Sequence, residues 1–584
     1  MIPILRAEFS SSRAAFEQAR FGPKLRWLKD SVVGDLGDTL WLLMGTIGLL
    51  LVIACANVAN LVLVRTETRR PELAIRTALG AGWAAVARVV FAESAILGLA
   101  GGVAGVAVAY LSLPLLLSLG ATDLPQIMTV TIDRTVLLVA LGTSVLATLT
   151  FALIPVFRFA QPKLQVADAL RGGTRMISDA TGHRRRHLLV VLQVALALVL
   201  LIGSGLMIRT FLSLRQVDPG FRDPAHVQTF QLTIPAAAVP NPERAETHDP
   251  EQTIRLQHAI VDRLAGVAGV ESVGFSSSND GLPLDGDGRT GTIFVEGRNA
   301  AEGVISLKEI QFVSPRFFDT LLTPVRAGRA FDWNDVYQNA RVALVSENLA
   351  RAEWGSAGTA LGKRISPGRS GPWSEVVGVV KDVHHDGLSQ PAPQTVIFPA
   401  VAGNTTASFV IHSERVGTTG FLEELRRAVT SVNANLSLAS VQTMGDLYNH
   451  ALARTSMTVQ LLVITGTIAL LLGLVGIYGV VSYAIAQRRR EIGVRLALGA
   501  GQDEVRRMFV RHALVLVGIG VAIGLGAAVA LTQLMQSQLF GVSPLDPLTH
   551  LSVAVGLVTT AGLASYFSAW QASALDPIEA LKGE

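Results

Sequence analysis

Seven apolar runs constrain this chain more than any other feature. They cover roughly Leu40–Val64, Ala84–Leu117, Val136–Val156, Leu188–Met207, Met457–Ala486, Ala513–Leu539 and Leu551–Ala569. A bilayer's hydrocarbon core takes about 20 apolar residues as a helix. One such run can be a buried helix of a soluble protein, but seven in one chain are read as membrane spans. Composition agrees: 50% of the 584 residues are hydrophobic and only 16% are charged, where soluble domains carry about 25% charge. The net charge of +4 leaves no surplus for a polyanion, so nucleic acid is not an expected partner. The single cysteine, Cys55, lies inside the first run. It has no internal disulfide partner and reads as a packing residue.

The loops between the runs set an orientation. Arg65, Arg69, Arg70 and Arg76 follow the first run. Lys163, Arg171, Arg175, Arg184, Arg185 and Arg186 follow the third. Arg488, Arg489, Arg490, Arg495, Arg506 and Arg507 follow the fifth. The alternate short loops are nearly bare of basic residues: Gly120–Thr135 holds only Arg134, and Gly541–Pro547 holds none. The positive-inside rule puts the arginine-rich loops and the C-terminal tail in the cytoplasm. The stretch Arg215–Arg454 then faces outward. It mixes strand-type runs, Val376–Val380 and Phe409–Ile411, with amphipathic helical stretches, Thr253–Leu264 and Thr418–Val429. That pattern predicts an α+β domain, with a turn-rich middle near Val313–Gln390 as a separate lobe.

The two ends of the chain repeat one another. Gly45-Thr46-Ile47-Gly48-Leu49-Leu50-Leu51 matches Gly466-Thr467-Ile468-Ala469-Leu470-Leu471-Leu472. Arg70–Gly82 matches Arg489–Gly501, and Asp168–Gly172 matches Glu579–Gly583. The divisions expected from this are a first membrane unit of three helices over 38–175, a linker and fourth helix over 176–214, an outer domain over 215–455, and a second three-helix unit over 456–584. Residues 1–37 carry Arg6, Arg13, Arg20, Lys24, Arg26 and Lys29 and show no secretory signal pattern. Parity would place this basic stretch outside, against the rule that governs the loops. The expectation is a remnant of a first outer domain in a protein that extends further upstream.

Each repeat places a compact charged segment after its first span. Glu72 and Arg76, like Glu491 and Arg495, stand four apart with the acid first, the favourable order on a helix. Arg69 and Arg70, like Arg489 and Arg490, precede them, and Gly80 and Gly499 stand where a left-handed residue would stop the helix. Seen once, such a segment reads as a topology anchor on lipid headgroups. Seen twice in register, it reads as a docking element for a cytoplasmic partner.

At these residues the sequence resembles the FtsX/MacB-type ABC transporter permeases. The resemblance extends to Ser314–Phe318, Ala343–Ala350, Leu361–Ile365 and Val376–Leu388, which are similar to that family's extracytoplasmic core domain. Ile53–Leu61, within the duplicated layout, is similar to the duplicated permeases of acidobacterial type. The resemblance implies a polytopic α-helical membrane protein of about seven spans in two FtsX-like repeats, with an α+β MacB-like outer core domain. It implies four helices per half, of which this chain lacks the first together with most of the first outer domain. It further implies a cytoplasmic ABC ATPase that grips the segments around Arg69–Gly80 and Arg489–Gly499, with a periplasmic adaptor and an outer-membrane channel as further partners beside the membrane lipids.

No catalytic, cofactor or metal site is expected. The string closest to a phosphate-binding loop, Ala357–Arg364, has Ala for the first Gly and Arg where Ser or Thr would meet the metal. The ATPase is therefore expected on another polypeptide. Asp382, His384, His385 and Asp386 read as a solvated turn, because neighbours on a strand point to opposite faces. Asp280, Asp285 and Asp287 lack the spacing of a calcium loop, and His258 reads as a surface residue. The runs Leu40–Val64, Val136–Val156 and Met457–Ala486 carry no ionisable residue before their ends, against a proton-driven carrier or ion channel. Two readings remain: the permease of an ATP-driven exporter or extractor, and a membrane signalling protein that uses the same transmission to control an outer enzyme.

Overall fold

The computed structural model describes residues 36–68, 83–120, 132–159, 175–235, 238–239, 249–277, 281–286, 288–297, 307–367, 372–400, 405–487 and 501–573. The chain divides into two compact units, one holding Leu214–Arg454 and the other Val32–Ser213 with Thr455–Glu584.

In the membrane unit the apolar runs are helices: α1 Leu36–Thr68, α2 Trp83–Gly120, α3 Arg134–Phe159 and α4 Arg175–Arg215. Six described helices of the chain are long and apolar enough to cross a bilayer. The third run falls short of that measure, its apolar helix covering Arg134–Thr150. Helices α2 and α3 pair closely. The Ser144 hydroxyl donates to Gly98 O at 2.9 Å, and a Cβ on Gly98 would stand 2.8 Å from Thr148 Oγ1. Small residues let the two backbones approach where lipid supplies no hydrophobic drive.

The other unit is one mixed sheet with helices packed on it. Its strands are β1 Val227–Thr233, β2 Val270–Ser277, β3 Thr290–Thr292, β4 Phe294–Val295, β5 Leu307–Val313, β6 Val325–Gly328, β7 Val342–Ser346, β8 Arg364–Ser366, β9 Ser374–Val380, β10 Thr395–Pro399, β11 Thr406–Ser413 and β12 Leu438–Thr443. Their order is β12-β1-β11-β2-β5-β10-β7-β9-β8-β4, with β3 on β5 and β6 on β9. The pairs β5–β10 and β7–β9 are parallel. The amphipathic stretches are helices α5 Pro250–Ala265 and α7 Thr419–Val432, with α6 Glu347–Trp354 between them in sequence. Asp249 caps α5, its carboxylate accepting from Glu251 N at 2.9 Å and Gln252 N at 3.1 Å, and Pro250 opens the first turn.

Two cores lie along this sheet. Helices α5 and α7 bury Ile260, Leu264, Phe421 and Leu425 against Phe230, Phe275 and Phe409. The second core gathers Ile310, Val345, Ile365, Val376 and Val396. The turn-rich middle is therefore not a separate lobe. It forms one end of the same sheet, and its own core is what its composition signalled. The two halves join where β2 meets β5 through the single pair Ser276–Val313. The remaining helices, α8 Met444–Gln487, α9 Gln502–Leu534 and α10 Pro547–Ser573, return the chain to the membrane unit. Helix α9 ends at Leu534, short of the expected Leu539, because a 3₁₀ turn at Gln536–Gln538 follows.

Candidate functional site: a packed helical hub in the membrane unit

The segments that carry Arg69, Arg70, Glu72, Arg76 and Gly80, and Arg489, Arg490, Glu491, Arg495 and Gly499, lie outside the described residues. Their anchors are described: α1 ends at Thr68 and α2 begins at Trp83, while α8 ends at Gln487 and α9 begins at Gln502. Residues 1–35 also lie outside, as do Asp280 and Asp287.

Helix α4 is the hub of the membrane unit. Its span is 67% buried, against 11–33% for the other five. The reason is in its sequence. Val190, Val194, Leu198, Ile202 and Leu206 form an i,i+4 ridge that meets α8, α9 and α10, while Ala197 and Leu200 meet Ile53 of α1 and Ala469 of α8. A helix apolar all round is one that neighbours surround. Glycines bring those neighbours close. A Cβ on Gly520 would stand 2.7 Å from Val194 Cβ, and one on Gly524 would stand 2.9 Å from Ala195 O and 3.0 Å from Ala195 Cα. The pair forms a Gly-x-x-x-Gly stripe on α9.

Polar side chains fasten the same hub. Asn57 Nδ2 donates to Leu472 O at 2.8 Å, and Gln193 Nε2 donates to Asn57 Oδ1 at 3.3 Å. Gln193 is 1% exposed and Asn57 8%. A Cβ on Gly476 would stand 2.2 Å from Gln193 Oε1 and 3.0 Å from Asn57 Oδ1, so a larger residue there would have to displace the amide pair. The Ser204 hydroxyl lies 2.7 Å from Leu462 O. At the opposite end of α4, Arg209 pairs with Asp546. Asp546 also caps α10, accepting from Thr549 N at 2.8 Å and Thr549 Oγ1 at 2.5 Å. Those hydrogen bonds from Thr549, with Arg209 beside them, hold its carboxyl below the usual range. Sequence reading missed the roles of Gln193, Asn57, Arg209 and Asp546. An amide inside an apolar run and the Gly520/Gly524 stripe were the signals present.

In the outer unit two of the strings that carry the family resemblance, Ala343–Ala350 and Val376–Leu388, meet in one hydrogen-bonded knot. Asp382 Oδ1 accepts from Asn348 N at 2.7 Å, and Asn348 Nδ2 donates to Ala392 O at 2.8 Å and Pro393 O at 3.1 Å. Ser346 Oγ accepts from Thr395 N at 2.9 Å. The knot ties the end of β9 and the start of α6 to the start of β10. Burial raises the Asp382 carboxyl above its usual range. Gly220, at φ +97°, lies against the same segment, where a Cβ would stand 2.2 Å from Asp382 O.

The expected solvated turn over 382–386 is corrected. Strand β9 ends at Val380, so strand alternation does not govern these residues. His384 Nδ1 meets Gln390 O at 2.9 Å, whereas His385 is 3% exposed with Nδ1 3.1 Å from Glu309 Oε1. The loop at 282–286 closes over them, with Leu284 N donating to His384 O and Gly286 N to His385 O, both at 3.1 Å. His258 is likewise not a plain surface residue. It stacks on Trp333 at 3.7 Å between ring centroids, and its Nδ1 meets Tyr337 Oη at 2.7 Å. The string Ala357–Arg364 is a helical turn, Ala357–Ala360, followed by a turn into β8. That order is the reverse of the strand–loop–helix needed to cradle phosphate.

Burial pushes the His385 imidazole down to about 4, with His384 adding to the effect. The folded ring stays neutral where an unfolded one, near 6.5, takes up a proton. The unfolded state therefore binds more protons between those values, and stability falls as pH drops from 6.5 toward 4. The full loss is about 3 kcal/mol by this group. Hydrogen exchange at pH 7.5 and 4.5 on the amides of β5 and β9 should show this loss in the native chain and a much smaller one in His385→Asn. Parallel pH responses in the two proteins would remove His385 as the cause.

The comparisons with known proteins bear on both units. The FtsX-like permease C-terminal model matches residues 44–163 and again 463–577, and the MacB-like periplasmic core domain model matches residues 188–444. A macrolide export ATP-binding/permease protein MacB from Rhodopseudomonas palustris is 26% identical over 309 residues, covering 50% of this chain and 46% of the relative. A probable syringafactin export ATP-binding/permease protein from Pseudomonas syringae is 27% identical over 293 residues, covering 47% and 42%. The chain thus spans less than half the length of these relatives. The crystal structure of the periplasmic region of MacB from Actinobacillus actinomycetemcomitans is 16% identical, with 38% of this chain and 91% of that one covered and a TM-score of 0.25. With two FtsX-like regions bracketing a MacB-like core domain, in a chain whose apolar helices are long enough to span a membrane, the protein is a polytopic membrane protein that belongs to the FtsX/MacB-type family of ABC transporter permeases.

Proposed function

We propose that this chain is the permease of an ATP-driven exporter or extractor of amphiphilic substrates, and that it transmits motion from a cytoplasmic ATPase to its outer unit. The ATPase is a separate polypeptide that docks on the two coupling segments. The observation that carries this reading is how the chain passes between its units. One boundary, at Arg454, falls inside α8, and the other, at Leu214, falls in the last turn of α4. Helices of 41 and 44 residues can carry a push along their length, where a flexible linker would absorb it. The hub packing supports the same reading, since α4 is held on several sides by backbone-close contacts.

The domain divisions at 1–37, 38–175, 176–214, 215–455 and 456–584 are part of this proposal. So is the orientation, with the outer unit periplasmic and the C-terminus cytoplasmic. With Cys55 replaced, Glu414→Cys should react with an impermeant maleimide in intact cells, while Gln502→Cys should react only after lysis. Both positions are exposed, whereas Ser413 beside the first is fully buried. The reversed pattern would overturn the orientation.

The functional test is reconstitution of the chain with an ATPase encoded beside it, in vesicles loaded with a labelled macrolide. ATP-dependent extrusion is the expected result. Stimulated ATP hydrolysis without extrusion would favour the signalling alternative, and absence of any association would refute both. A periplasmic adaptor and an outer-membrane channel are the further partners of the export reading, recovered by cross-linking in cells.

A further inference from the structure

A cavity of about 480 Å³ lies in the membrane unit where α4 and α8 end their apolar spans, against the first turns of α9. Helix α9 presents one face to it. Glu504, Arg507, Met508, Arg511, His512 and Val515 line the cavity at steps of three and four, so a single helical stripe supplies both its polar and its apolar parts. His187, from α4, and Ala484, from α8, line its other sides, and the cavity opens to the surface, where Arg507, Arg511, His512 and Val515 are exposed. His187 is the first residue of its span and Ala484 lies next to the last of its own, Ile485. The cavity therefore sits at the depth of lipid headgroups, on the arginine-rich side of the helices.

Its chemistry is cationic above and apolar below. Among the described residues, neither Arg507 nor Arg511 forms an ion pair with a carboxylate. Arg506, between them in sequence with Arg507, instead turns to Asp503 at 3.1 Å and Gln502 at 3.3 Å. Glu504 is the one acid among the described lining residues, so two guanidinium groups leave the cavity with a net positive charge. The imidazoles of His187 and His512 meet Nε2 to Nε2 at 3.2 Å, with ring centroids 4.9 Å apart edge to face. One ring donates to the other, so the accepting ring carries its proton on Nδ1. Met508, Val515 and Ala484 line the same cavity.

We propose that this cavity is a binding site for the phosphate headgroup of an anionic phospholipid. Paired arginines recognise phosphate oxygens, and the apolar residues below them fit the glycerol and the first acyl carbons. That apolar floor, and its level at the span ends, distinguish a lipid from free phosphate. Basic pockets between membrane helices are suited to such headgroups. The site ties α4, the hub, to α8 and α9, the two helices that flank the second coupling segment, so an occupied site holds their ends together. It does not depend on what the chain transports.

The test uses the full chain in neutral detergent, titrated with phosphatidylglycerol or phosphatidylcholine of matched chains and followed by native mass spectrometry. Phosphatidylglycerol should bind at least about tenfold more tightly. Each arginine near a headgroup contributes about fivefold, so Arg507→Gln combined with Arg511→Gln should weaken that binding by about 25-fold. Arg506→Gln should stay within about twofold of the native chain, because the neighbouring charge faces elsewhere. Arg507→Lys with Arg511→Lys should keep most of the binding, which separates loss of the site from loss of fold. Equal binding of the two lipids, or no loss in the glutamine double variant, would overturn the proposal. Displacement of the lipid by millimolar inorganic phosphate would reassign the cavity to a soluble anion. Loss of ATPase co-purification in the glutamine variant, with lipid binding intact, would reassign it to a protein contact.

Discussion

Reversing one charge in the second coupling segment, as Glu491→Arg or Arg495→Glu, is expected to reduce ATPase stimulation at least about tenfold while expression and membrane insertion persist. The segment is short, charged and repeated, with Glu72 and Arg76 at the corresponding places of the first repeat. An ion pair at this four-residue spacing is worth only about 0.3–0.5 kcal/mol on an exposed helix. Losing it costs little helix stability, so a tenfold loss, about 1.4 kcal/mol, must come from another protein. Combining both reversals restores the internal pair with its order inverted, but not the contact with an unaltered ATPase. The double variant should therefore remain uncoupled. Co-purification and ATP hydrolysis, measured side by side, check this. Wild-type values in both single variants would leave the segments as lipid anchors.

Gly524→Leu should disrupt the membrane unit itself. A Cβ at that position already meets the Ala195 backbone at 2.9–3.0 Å, and backbone cannot move aside as a flexible side chain can. The larger side chain forces α9 away from α4 and opens the i,i+4 ridge of Val190, Val194 and Leu198. Overpacking costs about 1–3 kcal/mol at ordinary core sites, and a leucine against backbone belongs at or beyond the upper end of that range. Gly526→Leu is the control, because a Cβ there meets nothing within 4 Å. In detergent, the Gly524 variant should lose its monodisperse peak at a lower temperature than the native chain, and the Gly526 variant should not. If both behave alike, the close approach of α9 to α4 is not what holds the hub.

The membrane architecture was readable in the sequence because a bilayer imposes a length and an apolar composition that no local context overrides. The six spans, the α+β outer unit, helices α5 and α7 and strands β9 and β11 follow from periodicity and run length alone. The repeat of Gly45–Leu51 at Gly466–Leu472 and the coupling motif announced the family, since their order along the chain is a specific signal. What sequence could not supply is which face of each span meets which neighbour. Lipid-facing and buried surfaces of a membrane helix are both apolar, so hydropathy does not mark α4 as the hub. That position appears only when Gly520, Gly524 and Gly476 bring other helices against it.

The outer unit shows the same division. Val376–Val380 reads as a strand from its residues, but the fate of the next residues is set by distant partners. Asp382 is claimed by Asn348, and His385 is covered by the loop at 282–286 and placed beside Glu309. A histidine in a glycine- and aspartate-rich turn looks solvated when only its neighbours in sequence are known. Burial is a property of what folds over a residue from elsewhere in the chain. The sequence by itself therefore determined the elements, their membrane character and the family. Only the tertiary structure decided the hub, the polar fasteners at Asn57, Gln193 and Arg209, the buried imidazole, and the cationic cavity at Arg507 and Arg511, because each is made by residues brought together across long separations in the chain.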